Sequence, residues 1–205
     1  MPGMASIDPK AAFLHVIDDH RWLAASGCAW NLIGANAANE TKEEAYRLLP
    51  NIDVAILDSL LAHARSLIDF YTKSPPRRDD ITLGDFNLSL DQLLSADLAK
   101  YKKPIEVHLL HLTNWRDLDF RTIHSTGSAA TTDRPNWNSE ASKIAELIIE
   151  KVLRKVSERG TAGWPLAFKA LFGASSERYR NKLFAWPTDL AEKSDVEQLL
   201  TRLGL

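Results

Sequence analysis

The sequence holds a single cysteine in 205 residues, so no internal disulfide can staple it. Cys28 stands among Ala24, Ala25, Ala29 and Trp30. A small buried side chain is expected in that setting, and a reducing cytoplasm is the expected compartment. Long apolar runs are also missing. The longest uncharged stretch, Trp22 to Asn39, is interrupted by Ser26, Gly27, Asn31, Gly34, Asn36 and Asn39, too polar for a bilayer-spanning helix. The opening MPGMASIDPK has no basic region followed by an apolar run, so no secretory leader is expected. Neither charge sign dominates: Lys and Arg total 25 against 27 acids, a net charge of -2. The whole-chain field therefore gives no strong pull toward nucleic acid or membrane. Apolar and polar residues nowhere alternate for long enough to support a sheet, and no internal repeat is evident. A serine elbow, a catalytic cysteine context and a kinase signature are absent, and the one phosphate-loop-like stretch, STGSAATT, lacks the lysine and the preceding strand.

What is present is helical periodicity. Asp8 before Pro9 is a cap and first-turn pair, and Phe13, Ile17, His20, Ala24, Gly27, Asn31 and Gly34 follow it at helical spacing, predicting a first helix over roughly 9–38. Its small residues would let a neighbouring helix come close, at a cost in propensity of up to ~1 kcal/mol for each glycine relative to alanine. The segment ETKEEAYRLLP predicts a short helix ending before Pro50. Asn51 then caps a second long helix through Tyr71, with Asp58, Arg65 and Asp69 opposite its apolar arc, the last two spaced as an i,i+4 pair. KSPPRRDD reads as a surface loop. ITLGDFNLSL reads as a connector with a short extended piece, and Ser89 as the cap of a short insert helix carrying Leu93, Leu94 and Leu98. Pro104 is placed to open a third principal helix over 104–122. Residues 124–138 form a small-residue loop expected to be mobile, and 139–158 a fourth long helix stopped by Gly160 and Gly163. The expectation is an all-α fold, a helical bundle of four principal helices with a short insert helix and an aromatic-rich C-terminal extension. It is read as one domain over 1–205, with its core over about 9–159 and the extension over 160–205.

The polar residues with chemical potential gather in HLLHLTNWRD, residues 108–117. At 100° per residue His111 lies about 60° from His108, so the two share a helix face. Two imidazoles at this spacing hold a transition metal only with a third ligand from another helix, for which His63, Asp19, Asp18 and His15 are the candidates. No complete ligand motif is present, and no metal or cofactor is expected. The plain structural alternative is that each histidine hydrogen-bonds a carboxylate or a backbone carbonyl where helices meet. Arg116 pairs in that case with Asp119, Asp58 or Asp69. ERYRNK, 177–182, mixes basic and aromatic residues as RNA-contacting segments do, although a solvated helix face explains it as well.

LLAHARSLIDFY at 60–71 and IEVHLLHLTNWRD at 105–117, together 25 of the 205 residues, resemble paired helices of uncharacterised bacterial all-helical proteins and, more distantly, the HEPN superfamily. That resemblance implies a helical protein acting on RNA or in a toxin or defence setting, as a homodimer that cleaves RNA without metal. His111, Arg116 and His108 are then the candidate catalytic residues, an imidazole moving the proton of a ribose hydroxyl and a guanidinium stabilising charge on phosphorus. The family places its arginine a short spacer upstream of its histidine. Here His111 precedes Arg116, and the residues between Arg116 and His124 slightly exceed that spacer. The same region also resembles the DinB-like metal-binding bundles, but Trp115 stands where a ligand histidine belongs, so that metal site does not carry over. A non-enzymatic module that binds a partner protein and a metal-binding bundle stay open beside the HEPN-like reading.

Overall fold

The first helix begins as the Asp-Pro pair predicts. The Asp8 carboxylate accepts from the Lys10 amide at 3.0 Å and its main-chain carbonyl from Ala12 at 2.9 Å, which satisfies amides that a bare helix start leaves open. A computed structural model of the chain describes residues 8–33, 43–44, 47–49, 51–73, 80–114, 136–158, 160–181 and 193–205, with backbone alone at 110–114, 138, 193 and 194. Six helices are described: α1 (Pro9–Ile33), α2 (Ile52–Thr72), α3 (Gln92–Asn114), α4, α5 (Trp164–Asn181) and α6 (Lys193–Arg202). α4 is composite, with α-helical Trp137–Glu146, π-helical Leu147–Leu153 and α-helical Arg154–Ser157. Among the described residues there is no strand. The proposed ends of the first helix at 38 and the third at 122, and most of the loop 124–138, lie outside the described residues. Residues 43–44 and 47–48 are helical where the short second segment was expected.

Several local expectations give way. Asn51 does not cap α2 with its side chain. It sits in the left-handed region at φ 63, a conformation asparagine tolerates better than most residues, and its main-chain carbonyl accepts from Ala55 at 3.3 Å. The connector at 81–90 contains a 3-10 turn, Leu83–Phe86, in place of an extended piece. Asp85 ties that turn by accepting from the Thr82 amide at 2.7 Å and the Thr82 hydroxyl at 3.0 Å, while Leu83 and Phe86 are buried. Asp91 caps α3, accepting the Leu94 amide at 3.0 Å, two residues after the expected Ser89.

Pro104 lies inside α3 and does not open a new helix. The expected insert helix and third helix are therefore one element. Proline removes the bond to the carbonyl four residues back, here that of Lys100, an exposed residue. Ile105, the next residue, is fully buried and anchors the helix through this point. α4 begins at Trp137, two residues before the expected start, with the Asn136 carbonyl accepting from Ser139 and Glu140.

α1 packs on α2 and α5, with α4 closing over both α1 and α2, and α3 lies along the other flank of α2. Phe13 and Ile17 of α1, Leu60 and Leu67 of α2, Ile144 and Ile148 of α4, and Phe168 of α5 meet in the common core. Gly27 marks the tightest crossing: a Cβ there would stand 2.8 Å from the Tyr179 ring and 3.2 Å from the Ala145 methyl. Cys28 beside it is buried and donates its thiol to the Arg178 carbonyl at 3.2 Å. Of the C-terminal aromatic residues, Trp164 and Phe168 do not form a separate layer. They join Phe13 of α1, Phe70 of α2 and Phe86 of the 3-10 turn in one aromatic cluster, mostly edge-to-face, with Phe13 to Phe168 centroids 5.2 Å apart and Phe70 stacked on Phe168. α5 is therefore an integral helix of the core, not an appendage laid over it.

Candidate functional site: the polar seam between two helices

The stripe of α2 that faces away from the common core carries Asp58, Arg65 and Asp69, and α3 covers it. The pairings Asp69 with Lys102, Arg65 with Glu106 and Asp58 with His108 run in opposite directions along the two helices, so α2 and α3 are antiparallel. Arg65 Nε donates to Glu106 Oε1 at 2.9 Å, its guanidinium also pairs with Asp69, and Lys102 Nζ donates to Asp69 Oδ1 at 2.7 Å. Burial alone would raise the Asp69 carboxyl, but the hydrogen bonds and charges of Lys102 and Arg65 outweigh it and hold the carboxyl below its ordinary value. Arg65 and Asp69 thus form the i,i+4 pair read from the sequence, on a face shut by a neighbouring helix instead of facing water.

Further along the seam stands His108, the first of the predicted site residues. Its ring meets the Trp137 ring edge-on at 5.5 Å, and its Nε2 lies 3.4 Å from Asp58 Oδ1. Both atoms are closed off from solvent, and the contact lacks hydrogen-bond geometry. Leaving such a buried group unmatched costs about 1–3 kcal/mol, which makes this a strained point beside the paired charges of Arg65, Asp69, Lys102 and Glu106. His108 does face a carboxylate at a helix interface, as the structural alternative expects, but the hydrogen bond is not made. The backbone of His111 is helical, one turn further along α3. Its side chain, together with Trp115, Arg116, Asp119 and His124, lies outside the described residues.

Of the other described histidines, His63 and His20 are committed elsewhere. His63 and Asp19, two candidates for a third metal ligand, bond each other through Nδ1 at 2.8 Å, and Trp22 stacks on the imidazole at 6.0 Å with planes 11° apart. Asp18 pairs with Arg21 and His15 is exposed on α1. His20 is fully buried. The Val16 carbonyl can only accept, so Nδ1 carries the proton and donates to it at 2.7 Å, and Nε2 accepts from the Tyr71 hydroxyl at 2.9 Å. Burial pushes its pKa down to about 4, so the ring is neutral near pH 7. Among the described residues no three His, Cys, Asp or Glu side chains gather as a metal site.

The described part of ERYRNK is mixed, with Glu177, Arg180 and Asn181 exposed and Arg178 and Tyr179 turned inward. Arg178 is buried, the Tyr179 hydroxyl donates to the Ser142 carbonyl at 3.1 Å, and Arg180 holds Glu150 at 3.0 and 2.6 Å. Of the surface run PPRRDD the structure describes Asp80, which pairs with Lys73 at 2.6 Å. Two open clefts, about 400 Å³ between α1 and α6 and about 410 Å³ between the end of α2 and the start of α3, carry no histidine.

Sequence reasoning did not single out Glu106, Lys102, Trp137 or the His20–Tyr71 pair. The charges at 58, 65 and 69 on one helix and at 102 and 106 on another did carry a signal, since a charged stripe matched by opposite charges on a second helix can be an interface as well as a wet face. No described helix is long and apolar enough to cross a membrane. Compared with protein-family models, curated proteins and solved structures, the chain matches none of them.

Proposed function

We propose that this chain is a HEPN-like helical protein that acts on RNA as a homodimer, in a toxin or defence setting, with His111 and Arg116 as its proton-transfer and charge-stabilising pair. The observation that supports this reading is the pairing of α2 with α3. Of the two segments that carry the resemblance, 60–71 and the described part of the second, 105–114, belong to helices held side by side by Arg65, Asp69, Lys102 and Glu106, and the ionic seam leads toward the helical turn that bears His111. A rigid pair of helices is the kind of platform on which an imidazole and a guanidinium can be held in register. His108, turned into the seam against Asp58 and Trp137, takes the structural part in this reading.

The test is RNA cleavage by the purified full chain in the presence of a chelator. Wild type should cut, while His111→Gln and Arg116→Lys should lose cleavage with thermal stability nearly intact. No cleavage by the wild type removes the reading and leaves a non-enzymatic module that binds a partner protein, a role favoured by Trp22, whose ring is 50% exposed on α1 although α1 is otherwise a core helix.

A further inference from the structure

Two of the described imidazoles are satisfied where they stand: His20 uses both nitrogens, and His63 holds Asp19 through Nδ1. His108 differs. Its Nε2 and Oδ1 of Asp58 are shut in together between α2 and α3, and neither atom has a hydrogen-bond partner among the described residues. They lie 3.4 Å apart, whereas a charge-assisted N–H···O bond draws its atoms to about 2.7–2.9 Å. What fits between two such atoms, closed off from water, is a single proton. The imidazolium has a donor at both ring nitrogens and a charge opposite to that of the carboxylate. We propose that His108 and Asp58 are a proton-operated latch, in which the protonated ring donates Nε2–H to Asp58 and clamps α3 onto α2, and loss of that proton releases the clamp.

The charged neighbours leave this pair to itself. On α2 and α3 the described cations of the seam, Arg65 and Lys102, are engaged by Asp69 and Glu106 instead of Asp58. From α4 the Trp137 ring meets the imidazole edge-on and restricts its rotation, while Glu140, nearly a turn further along, holds Lys143 and the Tyr101 hydroxyl. The side chains of His108 and Asp58 keep 26% and 31% of their surface exposed, so a small local opening admits the proton. The clamp is therefore present in mildly acid medium and is lost as pH rises through the ordinary histidine range, about 6.5. His20 works in the opposite sense, because burial favours its neutral ring, and acid acting there cannot tighten α3. One turn beyond His108, α3 carries His111, so the latch sets how firmly that turn is held. A latch of this kind goes beyond the RNA reading and does not depend on it.

Amide hydrogen exchange of the full chain at pH 8 and pH 6, corrected for the intrinsic pH dependence of exchange, tests the latch. In the wild type the protection of residues 105–114 should rise several-fold at pH 6, measured against the buried centres of α1 and α5. Asp58→Asn and His108→Gln should lose most of that rise while keeping the helical circular dichroism. His63→Gln, which alters the other histidine paired with an acid, should keep it. Equal protection of α3 at the two pH values in the wild type overturns the proposal, as does an undiminished rise in Asp58→Asn or His108→Gln, or its loss in His63→Gln. RNA cleavage in chelator at one fixed pH, read on the same preparations, decides the other proposal separately.

Discussion

His20 couples the interior of the molecule to pH. Its pKa of about 4 in the fold lies below the ordinary histidine value of 6.5, so the unfolded chain takes up the proton more readily. The sign follows: stability from the neutral, buried ring is fully present above pH 6.5 and is lost as pH falls from there toward 4, by on the order of 3 kcal/mol in all. Denaturant unfolding at pH 7 and pH 5 should therefore show a steep acid loss in the wild type, and a distinctly shallower one in His20→Gln. Parallel pH dependence in the two proteins would remove His20 as the cause. Tyr71→Phe tests the same pair at neutral pH, because it leaves Nε2 a buried acceptor without its donor. It should cost about 1–3 kcal/mol, read as a fall in melting temperature of several degrees. Nothing in the sequence marked this pair, since the two residues stand 51 positions apart and histidine at an apolar helical position gives no sign of its partner.

Two glycines separate intrinsic helix propensity from packing at the level of the element. Gly173 lies within α5 with nothing inside 4 Å of a would-be Cβ, so Gly173→Ala should stabilise by up to about 1 kcal/mol. Gly27→Ala makes the same gain in α1, but its methyl would meet a Tyr179 ring tethered through its hydroxyl to the Ser142 carbonyl. It should be destabilising on balance, by about 1–3 kcal/mol. Melting temperatures that move the same way in both variants would count against the close crossing. The stripe of small residues in α1 was legible as a close-packing surface because size alone carries that information. The joins between elements were less so. Proline after a charged stretch reads as a helix start, yet in α3 the freed carbonyl belongs to exposed Lys100, and burial of Ile105 carries the helix onward. Asn51 and Ser89 have the chemistry of caps, but position decides: Asn51 adopts a left-handed turn, and Asp91 is nearer the start of α3.

The whole molecule is held by two different kinds of contact, and they should fail separately. α1, α2, α4 and α5 share a continuous apolar core, whose 3.6-residue periodicity made the helical class readable from the chain. Among its described residues α3 contributes Leu98 and Ile105 fully buried, with Leu94, Tyr101 and Leu109 packed partly buried against the core, and it also meets α2 through ion pairs, a contact that periodicity alone represents as a wet face. Arg65 is the centre of that seam because it bonds acids on both helices, Asp69 and Glu106. Arg65→Met keeps the length of the apolar stem and removes the charge, leaving Lys102 to serve Asp69 while Glu106 loses its partner. Local opening follows the weakest contacts of an element, so amide hydrogen exchange in the C-terminal half of α3, residues 105–114, should accelerate in this variant. Exchange at the buried centres of α1 and α5 should change far less. An acceleration spread evenly over all the helices would mean that the seam and the apolar core open as one unit, and that α3 is not the separable element its contacts describe.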